Sequence, residues 1–490
     1  MTLQTDLLTL LPELIMAVGA MALLLAGALS AGASRSDNSI SGGEKTAPMI
    51  TWGAIVLLIV TGVVAVLWTP DHTTAFHGAF VADSFARFAQ ILILIGSALS
   101  ILLADEFFQP AAARFELPVL MLLASLGMML MVSAGSLVAL YLGLELQSLA
   151  LYVLAAFNRD HLRSTEAGLK YFVLGGLSSG MMLYGISLIY GFTGTVEFTH
   201  VAQVVGQAGV GIGLIFGIVF LISGLAFKVS AVPFHMWTPD VYEGAPTPIT
   251  AYLATAAKVA AMALFLRAIL TSFPHALAQW RQVIVVISVL SMALGAIAAL
   301  GQKNIKRLMA YSSIGHMGYA LLGLAAGTAL GARGVLIYLA IYVFTNLGVF
   351  ACIQAMKRGG RQIETIADLA GLARTDPTLA AVFSLMFLSL AGLPPLAGFF
   401  AKFYVFIAAI QVGLYVPAVL GVLASAIGLV YYLRLVKVMY FDEPAPAFDR
   451  GMAFGSRIIL ALSGVVALFF IVAASPIISS ADAAAKVLLP

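Results

Sequence analysis

Long apolar runs alternate with short polar breaks along the whole chain, and no other rhythm competes with that one. A membrane span needs about 20 apolar residues. Sliding that requirement along the sequence gives about fourteen spans, near residues 7–29, 49–68, 81–103, 117–132, 136–157, 166–191, 211–236, 247–270, 282–300, 308–327, 334–356, 378–407, 412–436 and 458–475. Helices are the expected form, because in hydrocarbon each backbone group must be bonded within its own segment. The ten-residue alternation of an outer-membrane barrel is missing. The first run lacks a basic leader and is too long for a signal-peptide core, so it reads as a retained span. The expected fold is an all-α polytopic membrane protein.

Charge placement supports that count and adds an orientation. Fourteen lysines and arginines fall in the odd-numbered connections, among them Arg35, Lys45, Arg114, Arg307, Lys357 and Arg450, and two, Arg281 and Arg333, in the even ones. The positive-inside rule then places odd loops in the cytoplasm and both termini outside. Composition agrees: 62% of the 490 residues are hydrophobic and 10% charged, against about 45–50% apolar in soluble domains. The single cysteine, Cys352, excludes an internal disulfide framework, and the seven histidines are scattered, so no haem, metal or cluster site is expected in this chain. A net charge of +3 is too small to imply nucleic acid.

A few basic residues do not fit the loops. Arg87, Arg267, Arg434 and Lys437 lie near enough to span ends to snorkel to headgroups. Lys228, Lys258 and Lys402 cannot escape so easily, and Lys170 sits about one turn into its helix. In "FKVSAVPFHMWTPD", residues 227–240, Pro233 has no N–H for the carbonyl of Val229, so span 7 must break or kink beside Lys228. In "LAGLPPLAGFFAKF", Pro394 and Pro395 orphan the carbonyls of Leu390 and Ala391, Gly392 and Gly398 loosen the flanks, and Lys402 follows. Two broken helices five spans apart, each with a lysine, point to five-helix units over spans 4–8 and 9–13, duplicated with inverted orientation. The chain then divides into 1–116, 117–270, 271–440 and 441–490.

Glu145, in "YLGLELQSLALY", is a further charge at the middle of span 5. An unpaired charge at that depth costs about 2.5–3.5 kcal/mol, so pairing with Lys228 is the economical expectation. A lysine beside a carboxylate holds its proton, while a desolvated lysine without a partner releases it. The swing needed near neutrality is about 4.6 kcal/mol, comparable with the roughly 2–5 kcal/mol for one charge against 100–200 mV. Structural readings stand beside this one: an ion pair that only ties spans 5 and 7, a carbonyl-capping or snorkelling Lys258, and a snorkelling Lys402. His235 and His316 read equally as hydrogen-bonded core histidines or proton-wire members, and Lys170 reads as an anchor. Gly176 with Gly180, and Gly213 with Gly217, fit close helix packing.

At these residues, and in "EAGLKYFVLGGLSSGMMLYG" and "NIKRLMAYSSIGHMGYALLG", the chain resembles the antiporter-like membrane subunits of respiratory complex I, the proton-pumping NADH:quinone oxidoreductase. The resemblance covers nearly the whole length and is greatest to the N type. It implies fourteen helices with inverted repeats and broken helices 7 and 12. It also implies that Glu145 tunes Lys228, that Lys258 passes the proton laterally at mid-membrane, and that Lys402 leads it toward the far side. His235, His316 and Lys170 match auxiliary polar positions. The M type usually carries glutamate in helix 12, and the L type adds a long lateral helix after helix 14. The resemblance further implies adjacent antiporter-like and small membrane subunits as partners. NADH, FMN, iron–sulfur clusters and quinone are then handled in partner subunits and the peripheral redox arm is contacted indirectly, while the Ala/Gly-rich composition leans toward a bacterial inner membrane. A Mrp-type sodium/proton antiporter subunit, or a quinone-binding or structural scaffold, would share the broken helices and buried charges.

Overall fold

A computed structural model of the chain describes residues 3–36, 41–68, 72–108, 115–449 and 451–489. Arg114 and Arg450 lie outside the described residues, as do the side chains of Arg35 and Lys45. The chain opens with α1 (Leu3–Thr9), α2 (Leu11–Ser36), α3 (Ser41–Leu67) and a hairpin of β1 (Thr73–Ala75) and β2 (Phe80–Ala82). Next come α4 (Ser84–Phe107), α5 (Glu116–Val132), α6 (Leu137–Ala155), α7 (Leu162–Thr193), α8 (Phe198–Ala208), α9 (Ile212–Val229), α10 (Trp237–Gly244), α11 (Thr247–Ala254) and α12 (Ala256–Ser272). The second half holds α13 (Leu277–Leu300), α14 (Ile305–Ala325), α15 (Ala329–Ala355), the hairpin β3 (Lys357–Arg358) and β4 (Arg361–Gln362), and α16 (Leu372–Thr375). It closes with α17 (Pro377–Ala391), α18 (Ala397–Gln411), α19 (Tyr415–Phe441) and α20 (Phe454–Val487).

Helix starts follow from local chemistry. Asp83 accepts from the Ala86 N–H at 2.7 Å, Ser136 from Ala139 at 3.1 Å, and Asp376 from Leu379 at 2.9 Å with Pro377 in the first turn. Each satisfies a donor the helix itself cannot. Eleven helices among the described residues are long and apolar enough to cross a membrane. The other three expected spans fall on α5, on the broken pair α17–α18, and on α14, which carries Lys306, Arg307 and His316. Both chain ends reach one face, where Ser84 donates to the Ala483 carbonyl at 3.3 Å and Thr9 to Thr73 at 3.4 Å. The hairpin β3–β4 lies on the opposite face with Lys306, Arg307, Lys357 and Arg358.

The centre is made of two passes. The window over Thr247–Ser272 is wholly buried and that over Ala329–Ala355 is 94% buried, so side chains on them are screened from lipid. Outer helices expose Leu142, Phe172, Val472 and similar residues, as expected of surfaces that meet hydrocarbon rather than water.

The breaks arise differently from the expectation built on proline. α9 ends because Ser230 adopts φ 62°, ψ 36°. Its N–H bonds the Phe227 carbonyl at 3.0 Å, while the Ala231 N–H bonds Ala226 at 2.8 Å. α17 ends because Gly392 adopts φ 85°, ψ 37°. Its N–H bonds Ser389 at 2.9 Å, while the Leu393 N–H bonds Leu388 at 3.2 Å. Both are Schellman closures, with a left-handed residue folding two N–H groups back on the last turn. The helices therefore stop before Pro233 and Pro394, which lie in the unwound links. A third interruption, inside the pass expected to be continuous at 247–270, separates α11 from α12 at Thr255 (φ −115°, ψ −87°). No Pro or Gly marks it. The Thr255 hydroxyl donates to the Ala251 carbonyl at 2.6 Å, a local bond that competes with the helical ladder.

Candidate functional site

The three lysines expected to be stranded within spans all stay inside. Lys228 and Lys402 are each 8% exposed and Lys258 is 1% exposed, and each lies beside an interruption. This burial speaks against the snorkelling alternatives for Lys258 and Lys402, because both ammonium groups are bonded inside the helix bundle rather than at its surface.

Around the first break, Lys228 is in the last turn of α9 and donates to the Ser148 hydroxyl at 2.7 Å, with its Nζ 5.8 Å from the Tyr152 ring centroid. Ser148 lies one turn along α6 from Glu145, so the two side chains share a face. The direct Glu145–Lys228 ion pair does not form. Glu145 is half-buried and accepts from the Ser179 hydroxyl of α7, while remaining within electrostatic reach of Lys228. The serine intervenes because its hydroxyl stands nearer the end of α9 than the carboxylate does. Beyond the break, Lys258 donates to the Ser230 hydroxyl, which also accepts from Thr238 at 2.6 Å, and its Nζ is 5.2 Å from the Trp237 ring centroid. The Trp237 indole N–H in turn caps the Phe227 carbonyl at 3.0 Å. Ser230 thus ends one helix and receives the ammonium of another.

Around the second break, Lys402 donates to the Ala391 carbonyl at 2.9 Å and to Ser425 at 2.7 Å, with Nζ 5.0 Å from the Tyr319 ring centroid. Ala391 is one of the carbonyls expected to be freed there, so ammonium and orphan acceptor do become neighbours. His316 lies between two phenols, Nδ1 2.5 Å from Tyr338 and Nε2 3.2 Å from Tyr432. Tyr432 pairs with Ser312 at 2.6 Å. A cavity of about 10 Å³ joins His316, Tyr338 and Tyr342 to Ser389 and Gly398 of the break. The two clusters approach each other through aromatic residues: Trp237 packs on Tyr242 at 6.5 Å, and Tyr242 neighbours Tyr342, which donates to Ser313 at 3.0 Å.

Other candidates lie apart from this line. Lys170 is 41% exposed and pairs with Glu166 and Asp240, both at 2.7 Å, while Arg307 bridges Asp240 (2.7 Å) and Glu243 (3.1 Å). Lys306 adds Glu364 at 2.8 Å and the Ala245 carbonyl at 2.7 Å. This network ties Lys170 and α10 together at the basic face. His235 is half-buried on the first link and bonds neither lysine. Arg267 departs from the snorkelling expectation. It is 3% exposed and pairs with Asp83 at 2.6 Å, because the capping carboxylate of α4 offers it a buried partner. Gly217 packs against α7 as expected, but Gly176 and Gly180 face open space. Sequence reasoning missed Ser148, Ser179, Ser230 and Ser425. Only Ser148 carried a signal, its three-residue spacing from Glu145.

Interrupted helices, buried lysines held by neutral acceptors and a half-buried glutamate define an antiporter-like membrane subunit. The family described as NADH:quinone oxidoreductase/Mrp antiporter, TM, matches residues 134–428. NADH-quinone oxidoreductase subunit N of Parvibaculum lavamentivorans is 55% identical over 486 residues, 99% of this chain and 98% of the relative. A chain of respiratory complex I from Thermus thermophilus with bound aureothin superposes with TM-score 0.81 at 33% identity, covering 96% of this chain and 99% of that one. A chain of the Mrp complex from Dietzia sp. DQ12-45-1b shares the fold, with TM-score 0.77 at 23% identity over 99% and 98%. The chain belongs to this family, and within it to the subunit N group of NADH-quinone oxidoreductases.

Proposed function

We propose that this chain is the proton-translocating N-type membrane subunit of an NADH:quinone oxidoreductase, with Lys228, Lys258 and Lys402 as proton carriers and Glu145 as the residue that sets the charge of Lys228. The carrying observation is the chemistry of the partners. Each lysine is bound by a serine hydroxyl, joined for Lys402 by a carbonyl, and among the described residues none has a carboxylate oxygen within 4 Å. A hydroxyl accepts from an ammonium and donates to a neutral amine, so a lysine beside it keeps a partner in both charge states. A carboxylate at contact distance would hold the proton instead. Glu145, one turn from Ser148, is placed to favour the charged state when it moves in and to release the proton when it turns to Ser179.

His316 and its phenols supply exchangeable groups beside the second break, and Lys170 at the basic face and His235 on the first link serve as auxiliary positions. In this reading spans 4–8 and 9–13 are inverted repeats meeting at the Tyr242–Tyr342 region, with 1–116 and 441–490 packed outside them. The basic face is cytoplasmic and both termini are periplasmic in a bacterial inner membrane. NADH, FMN, iron–sulfur clusters and quinone belong to partner subunits, reached through neighbouring antiporter-like and small membrane subunits. The Mrp-like fold alone favours neither assembly, whereas the subunit N relationship spans nearly the entire chain.

The test is proton pumping and quinone reduction in vesicles carrying the complex with Glu145→Ala or Lys228→Ala. Both variants are expected to assemble and to lose about tenfold or more of pumping, the loss for about 1.4 kcal/mol on the limiting barrier. Normal pumping in both would discard the mechanism.

A further inference from the structure

Glu13 takes no part in the lysine line and was not expected to matter from sequence, yet it is 3% exposed in the first turn of α2. Its Oε1 accepts from Gln90 Nε2 at 2.6 Å, and the same amide reaches Ser133 at 3.0 Å. Its Oε2 is buried with no hydrogen-bond partner among the described residues. A cavity of about 10 Å³ touches Glu13, Gln90, Asp83 and Arg87, space for roughly one small polar molecule. The neighbouring carboxylate, Asp83, is matched by Arg267 at 2.6 Å and caps α4. Among the described residues Glu13 has no cation within 4 Å. The Gln90 amide keeps the carboxyl oriented in either charge state.

The surroundings tie Glu13 to the carriers. Arg267 lies nine residues after Lys258 on α12, about 13 Å along the axis, so the same helix runs from the buried ammonium to this cluster at the face that bears both chain ends. On α4, Ser97, Gln90 and Asp83 repeat every seven residues and share one side of the helix. Ser97 is joined to Ser125 at 2.8 Å and Ser125 to Tyr252 at 2.7 Å. Tyr252 belongs to α11, six residues before Lys258 on the same buried pass, so the hydroxyl chain joins that pass to α4, on whose polar side Gln90 bonds Glu13.

We propose that Glu13 is a proton-holding station between Lys258 and the face bearing the termini. One N–H bond of the Lys258 ammonium breaks and one O–H bond forms on Glu13, giving a neutral amine and a neutral acid. That O–H bond then breaks and the proton enters the aqueous phase at that face, leaving the carboxylate ready for the next. The inference rests on Lys258 being a carrier.

The experiment compares Glu13→Gln, Glu13→Asp and Lys258→Ala in the intact complex in sealed vesicles, reading protons moved per NADH oxidised together with the amount of assembled complex. Glu13→Gln preserves the shape but cannot ionise, and is expected to lower the ratio severalfold, while Glu13→Asp restores most of it. A purely structural carboxylate would leave the ratio unchanged in Glu13→Gln, and that result overturns the proposal. If Glu13→Gln fails to assemble, Gln90→Leu, which keeps the carboxylate and removes its donor, is expected to lower the ratio, and a normal ratio overturns the proposal by that route. Normal pumping in Lys258→Ala would refute the carrier reading itself, whereas a dead Lys258→Ala with a normal Glu13→Gln would refute Glu13 alone.

Discussion

The two broken helices stop in the same way and use the stop differently. Each is closed by a left-handed residue with the same pair of backward N–H bonds, Ser230 in one and Gly392 in the other. Lys228 precedes its break and binds a side chain from another helix, whereas Lys402 follows its break and binds the freed Ala391 carbonyl together with Ser425. In the first break the left-handed residue carries a hydroxyl that receives Lys258. In the second it is a glycine whose added Cβ would stand 3.0 Å from Lys402 Cδ. One backbone device thus serves once as a ligand and once as clearance for a lysine.

If the two breaks are equivalent stations, Lys402→Ala should abolish pumping as fully as Lys228→Ala, about tenfold or more in each. Pumping that survives in Lys402→Ala alone would break the equivalence and leave the first break as the working one. Next in size, Gly392→Ala forces a side chain into φ 85°, at about 1–2 kcal/mol, and crowds Lys402. Both the thermal midpoint and pumping should fall. Ser230→Gly should separate those effects, because it relieves the backbone at φ 62° yet removes the hydroxyl that Lys258 uses. Its midpoint should hold while pumping drops. Ser148→Ala leaves the buried Lys228 ammonium without its acceptor, a loss of about 1–3 kcal/mol, readable as a lower midpoint with a smaller pumping defect than Lys228→Ala.

The smallest effect belongs outside both breaks. The N–H groups of Gly360 and Gly359 bond the exposed Asp449 carboxylate, both at 2.9 Å, and hold it below the usual carboxylate range. A lowered value means that this tie is complete above the unfolded carboxylate range, about 3.9, and is lost as pH falls through the folded value. Asp449→Asn should therefore leave pumping unchanged and only speed hydrogen exchange at Gly359 and Gly360. A pumping defect there would show that the hairpin is coupled to the breaks.

Much of this was legible because the bilayer punishes polar atoms. Apolar runs gave the spans, loop charges separated the two faces, and the lysines left over inside were the interior ones. The positions of the breaks were legible only to within one turn, because proline marks an unwound link without fixing where the helix closes. Ser230 does that through a backbone angle that serine does not advertise. Thr255 escaped notice because "TAAKVAAM" reads as good helix. The direct Glu145–Lys228 pair was inferred from the expense of lone charges, an argument that could not see Ser148 and Ser179 stepping between them. Arg267 was assigned to the headgroups and Glu13 was overlooked because residues near span ends can reach water, and only packing shows that Asp83 and Gln90 claim them first.

Lys258 stands between the two breaks, on the fully buried pass and beside the unforeseen interruption at Thr255. The most direct measurement is NADH-driven proton uptake into sealed vesicles bearing the assembled complex with Lys258→Ala. We expect normal assembly with pumping reduced about tenfold or more. Assembly together with undiminished pumping would contradict the account.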